Sequence, residues 1–193
     1  MTLIPKLLSL GALISGAVGV AILKPWQKDI SVKQELEKLN KTILTSKTDS
    51  RWEIKAHTYK SIITTDSKLK IDGKDTISKE DLSNWCLDTF KKPYSQELTN
   101  KAQSFCLAPT VKDKLSKNNK SIPSSLETQL SNYKGHTSED SFVIPKSEME
   151  NKEKSDLSED DLKKWCNTYS EVELLDGEDK NYNRIEKWCT SAQ

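Results

Sequence analysis

The sequence predicts an all-α protein, with an N-terminal transmembrane or signal helix followed by two tandem helical units of about 80 residues each. Three observations predict this fold. Residues 7–23 form an uncharged apolar run, later segments recur in the same order, and the recurring segments carry apolar residues at helical spacing. No run alternates polar and apolar residues convincingly beyond about five positions, which argues against a sheet-based fold.

The first segment, residues 1–29, contains the apolar run 7–23, which Lys6 and Lys24 bound. A helix of this run is about 26 Å long, near the lower limit for crossing a bilayer. An uncleaved signal anchor fits this length, whereas a cleaved signal peptide has a shorter apolar region and a small-residue cleavage site. Both interpretations remain open, and both place the bulk of the chain outside the cell.

Small residues recur at every fourth position of this run, at Gly11, Ser15 and Gly19. On a helix they share one face, and such a face lets two membrane helices approach closely. Short apolar segments also contain glycine and alanine without this role. The three residues are therefore a candidate helix-packing surface within the membrane, with chance composition as the alternative.

The rest of the chain contains an internal repeat. Residues 32–44 match residues 111–123 at seven of 13 positions, and residues 77–86 match residues 157–166 at five of ten. Each repeat then ends on an aromatic residue followed by cysteine, and the offsets of 79, 80 and 83 residues preserve the order. We therefore predict a tandem duplication, with a first unit at 30–110 and a second unit at 111–193.

Each unit is predicted to contain helices in the same order. An amphipathic helix follows the first matching segment, because apolar residues recur there at i, i+4 and i+7. These residues are Trp52, Ala56 and Tyr59 in the first unit and Leu126, Leu130 and Tyr133 in the second. The next helix begins after Ser78 or Ser158, each of which precedes an aspartate at capping-box spacing. The second unit closes on a helix with Ile185 and Trp188.

The four cysteines form matched pairs, and the duplication favours one disulfide in each unit, Cys86–Cys106 and Cys166–Cys189. Each bridge would close a loop of about 20 residues and contribute about 3 kcal/mol to a small, apolar-poor core. Four reduced, buried thiols are the alternative. A zinc site is not expected, because the sequence has no C-x-x-C motif and no clustering of histidine with cysteine.

Composition argues against catalysis and against nucleic-acid binding. The net charge is +1, and Arg51 and Arg184 are the only arginines, so no strong field or guanidinium cluster attracts phosphate. Neither His57 nor His136 has a nucleophile or carboxylate at a recognisable spacing, and six glycines leave no phosphate-binding loop. We predict no catalytic, cofactor-binding or metal-binding residue.

The apolar run KLLSLGALISGAVGVAIL, the recurrent DLxxWC motif at 81–86 and 161–166, and the WCT motif at 188–190 carry a family resemblance. Together with the Lys-rich, Arg-poor composition, they resemble the large paralogous families of uncharacterised membrane or surface proteins of hemotropic mycoplasmas. The resemblance covers essentially the whole chain. It implies membrane association and a role at the host interface, and it carries over no catalytic or binding residue.

The sequence therefore predicts a single-pass, membrane-anchored surface protein that acts by contact, as a non-catalytic host-interaction or antigenic protein. Its expected partners are the membrane, through the N-terminal helix, and a host protein; nucleic acid is not expected, and the oligomeric state is left open. The alternative is a secreted helical binding or inhibitory module, released by cleavage of the signal segment.

Overall fold

The computed structural model describes residues 30–176 and 179–191, and these residues form a helical fold. Outside the helices, backbone pairing within this part of the chain is limited to isolated β-bridges. The α-helices are α1 (Val32–Glu37), α2 (Trp52–Thr65), α3 (Lys79–Thr89), α4 (Gln96–Phe105), α5 (Val111–Lys117), α6 (Glu127–Gly135), α7 (Glu159–Ser170) and α8 (Lys180–Cys189). Short 3₁₀ helices occupy Ser67–Leu69, Lys146–Met149 and Lys154–Asp156.

The predicted all-α class is confirmed for these residues. The predicted N-terminal helix lies outside them, and so do its candidate packing residues Gly11, Ser15 and Gly19.

The buried apolar side chains form two clusters. One draws on residues between Val32 and Ala108, and the other draws on residues between Val111 and Cys189 together with Ile54. We refer to residues 30–108 as the first half and to residues 109–191 as the second half. Ile54 belongs to the first half but packs into the second cluster, so the two clusters are in contact.

The first helix of each half begins and ends in the same way. α1 and α5 each start with a capping box, around Ser31 and Thr110 respectively. Each helix is followed by an asparagine in the left-handed region, Asn40 at φ 52° and Asn119 at φ 56°. Asparagine adopts this conformation more readily than most residues with a side chain. The identity of the matching segments therefore reflects a shared helix and turn.

A backbone hydrogen bond ties α1 to the segment after α3, and another ties α5 to the segment after α7. The Val32 N–H donates to the Lys92 carbonyl at 3.0 Å, and the Val111 N–H donates to the Val172 carbonyl at 3.1 Å. The two hydrogen bonds are related by offsets of 79 and 80 residues, the same offsets that relate the matching segments.

One disulfide closes each half, and the predicted pairing is confirmed. Cys86 of α3 bonds Cys106, with a Cα–Cα distance of 5.6 Å, and Cys166 of α7 bonds Cys189, with a distance of 5.7 Å. All four cysteines are fully buried. Each bridge therefore links two helices inside a cluster.

A buried tyrosine packs beside each bridge. The Tyr59 ring centroid lies 5.0 Å from that of Phe105, and the Tyr133 ring centroid lies 5.1 Å from that of Trp188. Each tyrosine hydroxyl also donates to a backbone carbonyl in the loop that follows its helix. The apolar faces predicted for α2 and α6 are thus placed against the disulfide-bonded helices.

The predicted serine caps of α3 and α7 form, with one difference. Ser78 and Ser158 accept hydrogen bonds from the backbone N–H groups of Asp81 and Asp161, at 3.0 and 3.2 Å. Only Asp161 completes the box, because its carboxylate accepts from the Ser158 N–H at 2.8 Å. The same carboxylate also accepts from Lys152 Nζ at 2.5 Å. The Lys152 bond, followed by the bonds from Ser158, holds the pKa of Asp161 well below its usual range.

The two halves meet where α2 lies against α5, a contact that we call the seam. Ile54 fills its apolar part and is 6% exposed. Glu53 Oε2 accepts from Lys117 Nζ at 3.0 Å, and Arg51 Nη1 donates to the Leu174 carbonyl at 3.2 Å. The seam therefore combines an apolar contact with polar bonds across its edges.

Candidate binding cleft

A cleft of about 620 Å³ opens in the second half between α6 and α8. Most of its lining side chains are polar. They include Lys120 after α5, Thr128, Gln129 and Asn132 of α6, and Asn183, Glu186 and Lys187 of α8. Because these residue types offer both hydrogen-bond donors and acceptors, the surface is suited to recognising polar groups.

Glu186 is the most firmly held group in the lining. Lys120 Nζ donates to its Oε1 atom at 3.1 Å, and the Tyr182 hydroxyl donates to the same oxygen. Asn118 Nδ2 in turn donates to the Tyr182 hydroxyl at 2.7 Å. This network fastens the turn after α5 to α8 and fixes one wall of the cleft.

The network also fixes the protonation states. Burial alone would raise the pKa of Glu186, but the hydrogen bonds from Tyr182 and Lys120 outweigh it and hold the pKa below its ordinary value. Burial and the Glu186 carboxylate raise the pKa of Tyr182 to about 12. At neutral pH the carboxylate is therefore ionised and the phenol is neutral.

One aromatic ring, that of Phe142, also lines the cleft. Lys187 Nζ lies 3.9 Å from the ring centroid of Phe142, a lining residue, and 4.7 Å from that of Trp188. Trp188 Nε1 donates to the Phe142 carbonyl at 2.7 Å, and Arg184 Nε donates to the Ser141 carbonyl at 2.9 Å. These bonds hold the loop before the 3₁₀ helix Lys146–Met149 against α8.

The residues singled out from the sequence lie apart from this cleft. The cysteines are buried in disulfides and have a structural role. His57 is exposed on α2. His136 differs from the sequence expectation, because its Nε2 atom lies 3.2 Å from the carboxylate of Asp140, four residues along the chain in the loop after α6. No nucleophile or third polar group completes that pair as a catalytic site within the described contacts.

Sequence reasoning missed the cleft because its lining consists of residue types that are common on any surface. The one available signal was Lys120, which matches Lys41 in the repeat. A conserved pair within a repeat marks a shared turn, however, and says nothing about whether a cleft adjoins it.

Residues 30–176 and 179–191 contain no group of three or more histidine, cysteine, aspartate or glutamate side chains placed to hold a metal ion. None of the helices in these ranges combines the length and apolar character needed to cross a bilayer. No protein-family model, curated protein or solved structure matches the chain, so the proposals below rest on its own residues and geometry.

Proposed function

We propose that this protein is anchored in the cell membrane by its N-terminal apolar segment and acts outside the cell by contact, as a non-catalytic host-interaction or antigenic protein. The observation that carries this proposal is the pair of buried disulfides in a chain whose residues 7–23 form an uncharged apolar run. Disulfides persist in oxidising compartments, and an apolar run of this kind directs a chain out of the cytosol.

The anchored protein consists of two copies of one unit, at 30–110 and 111–193. Matching capping boxes, left-handed asparagines, disulfides and tyrosine–aromatic pairs support this duplication. A duplicated scaffold suits a contact protein, because the buried framework can be kept while the two surfaces diverge.

The cleft between α6 and α8 is the contact site in this proposal. Its amide, hydroxyl and charged groups suit the polar surface of a protein partner. Lys120 is already paired with Glu186, so it is not a free cation for a phosphate ligand.

Cell fractionation with N-terminal sequencing tests the anchor. We expect the protein in the membrane fraction, with its sequence beginning at residue 1 or 2. A mature chain in the medium that begins near residue 20–25 would favour the secreted binding or inhibitory module, for which Ala17-Val18-Gly19 and Gly19-Val20-Ala21 offer cleavage sites. A cytosolic chain with reduced cysteines would contradict both forms.

A further inference from the structure

The α6 side of the cleft corresponds to a surface of α2 that is covered in the first half. Aligning α2 with α6 on their buried tyrosines relates three lining residues of the cleft to three residues of α2. The pairs are Ile54 with Thr128, Lys55 with Gln129, and Thr58 with Asn132. Each of the α2 residues is 6% exposed, whereas the α6 residues are exposed or half-buried.

The element that covers the α2 face is α5. Ile54 packs into the cluster that contains Val111 and Leu115, the two buried residues of α5. The seam thus shows which kind of element this face accepts, namely a short capped helix. In the second half, no described element occupies the equivalent place, and the cleft lies open.

Among the described residues, the first half has the matching uncovered surface beside α1, the counterpart of α5, although Val32 and Leu36 of α1 are themselves buried. Tyr94 donates its N–H to the Ile30 carbonyl at 2.7 Å, as Leu174 donates to the Pro109 carbonyl at 2.8 Å. Ile30 and Tyr94 are 41% and 44% exposed, whereas Leu174 is 3% exposed and Pro109 is buried. Arg51 of the first half donates a hydrogen bond to the Leu174 carbonyl, whereas no arginine among the described residues contacts the Tyr94 carbonyl.

We propose that a second copy of this chain docks head to tail, with its α1 lying in the cleft as α5 lies on α2. One contact then covers the α6 side of the cleft in one copy and the Ile30–Tyr94 surface of the next. This is a heterologous association, in which two different patches of the same chain meet. The inference rests on the cleft being the contact site and is independent of membrane anchoring.

The charges match in this arrangement. In the seam, Glu53 Oε2 accepts from Lys117 Nζ at 3.0 Å. The repeat counterparts of these residues are Glu127 on the cleft side and Lys38 on the α1 of the second copy. Lys38 is paired with Glu35 at 2.5 Å on the surface of the single chain, an exposed bond whose exchange for Glu127 costs little.

Residue types also differ between the two repeats at a second position on each side of the seam. Lys55 is buried, and Asp113 of α5 opposes the lowering of its pKa by burial. The counterparts are Gln129 and Gln34, both uncharged amides. Gln34 Oε1 accepts from the Ser31 N–H at 2.9 Å, which leaves the amide nitrogen as a donor to Gln129. Docking would therefore bring two uncharged amides together at positions that a lysine and an aspartate occupy at the seam.

The contact between copies is expected to be weaker than the seam. Thr128 stands in the place of Ile54, and Ser125 stands in the place of Arg51, so both an apolar contact and a guanidinium bond are absent. Association should therefore depend on protein concentration, and because the two patches differ, further copies can add to each end.

Zero-length carbodiimide cross-linking of the full chain in detergent micelles tests the proposed geometry. The sample is an equal mixture of ¹⁴N-labelled and ¹⁵N-labelled protein. We expect cross-linked Lys38–Glu127 peptides that combine the two isotopes, because the bond joins different copies. The Lys117–Glu53 pair supplies the internal control and should cross-link within one copy. Absence of the mixed Lys38–Glu127 peptide while this control forms would overturn the inference.

Charge reversal gives a second test on the same full chain. Lys38→Glu and Glu127→Lys should each weaken self-association by about five- to tenfold in sedimentation measurements, and the combined variant should restore it. Both residues are exposed, so the variants are expected to fold. Self-association that neither reversal changes would belong to another surface, such as the membrane segment, and would overturn this docking mode.

The two proposals fail in different ways. A protein that reaches the cell surface but gives no mixed cross-link refutes only the head-to-tail contact. A protein that gives the mixed cross-link but remains in the cytosol refutes only the proposed function.

Discussion

At the residue scale, three tyrosines combine burial with a hydrogen-bonded hydroxyl: Tyr59, Tyr133 and Tyr182. The Tyr59 hydroxyl accepts from the Ile71 N–H at 2.9 Å and donates to the Lys74 carbonyl at 2.8 Å. At the cleft, the Tyr182 hydroxyl likewise accepts from Asn118 Nδ2 and donates to Glu186 Oε1. Because an unpaired polar group is costly inside a protein, these hydroxyls fix the loops and side chains that they contact.

Replacing Tyr182 by phenylalanine should lower the free energy of unfolding by about 1–2 kcal/mol, because Glu186 and Asn118 each lose a partner in a partly buried site. Tyr94→Phe is the matched control. Its hydroxyl contacts Gln96 on the surface, so we expect a change within about 0.5 kcal/mol. Urea unfolding monitored by circular dichroism measures both variants, and equal losses would contradict the role given to the network.

The Asp161 carboxylate makes a pH-dependent contribution. Its pKa is lower in the folded state than in the unfolded chain, so its contribution is fully present above about pH 4 and is lost as the pH falls toward the lowered value. Asp161→Asn should therefore destabilise the protein by about 1 kcal/mol at pH 7 and by progressively less below pH 4.

The control for this variant is Asp81→Asn, at the equivalent position of α3, where the carboxylate does not complete a capping box. We expect a smaller loss at pH 7. Urea unfolding at pH 7, 5 and 3 makes the comparison, and a loss for Asp161→Asn that stays constant over this range would exclude the proposed ionisation.

At the element scale, α2 is shared between the two halves. Its Trp52 and Tyr59 side chains belong to the first cluster, while Ile54 belongs to the second. In α6, Leu126 and Tyr133 likewise pack into the cluster of their own half. Thr128 stands in the place of Ile54, the α2 residue that packs into the other cluster. The same helix position thus forms a covered seam in one half and an open cleft in the other.

Ile54→Ala should lower the free energy of unfolding by about 2–4 kcal/mol, because it leaves a cavity where α2 meets the second cluster. Thr128→Ala is the matched control at the counterpart position. It is exposed in the single chain, so we expect a change within about 0.5 kcal/mol. Denaturant unfolding at low protein concentration measures both, and a comparable loss at the two positions would contradict the difference between seam and cleft.

The disulfides are expected to be formed in the isolated protein. Its mass without reductant should lie roughly 4 Da below that of the reduced chain, since two bridges remove four hydrogens. Replacing either cysteine pair by alanine should cost about 3 kcal/mol of stability. A mass that reduction leaves unchanged would show that the two disulfides are not formed.

The helical elements could be predicted because their signals are local. Capping serines, apolar spacing around Tyr59 and Tyr133, and cysteines at matching offsets are all readable in short windows of sequence. The disulfide pairing followed from the repeat, which placed one aromatic–cysteine pair at the end of each unit.

The site could not be predicted, because it depends on how helices distant in sequence pack together. Periodicity does not show that Ile54 crosses into the second cluster or that Lys55 is buried at the seam. Nor does it show that Asn118 reaches Tyr182, 64 residues along the chain. These contacts arise from tertiary packing. The repeat indicates only that α2 and α6 have corresponding faces, and it does not show that one is covered and the other open.

At the scale of the whole molecule, the seam joins two small clusters, and within the described residues the repeat leaves one open surface in each half. The cleft is polar, and the Ile30–Tyr94 end is partly apolar. Because residue 30 follows the N-terminal segment directly, an anchor in residues 7–23 would hold this end within about 25 Å of the membrane. The cleft lies in the other half.

Digestion of intact cells tests the central claim, that residues 30–193 lie outside the cell. Proteinase K is added to intact and to lysed cells, and the protein is followed with antibodies against the second half, with a cytosolic protein as the control. We expect the second half to be digested on intact cells while the cytosolic control survives. Protection of the second half until the cells are lysed would contradict the account.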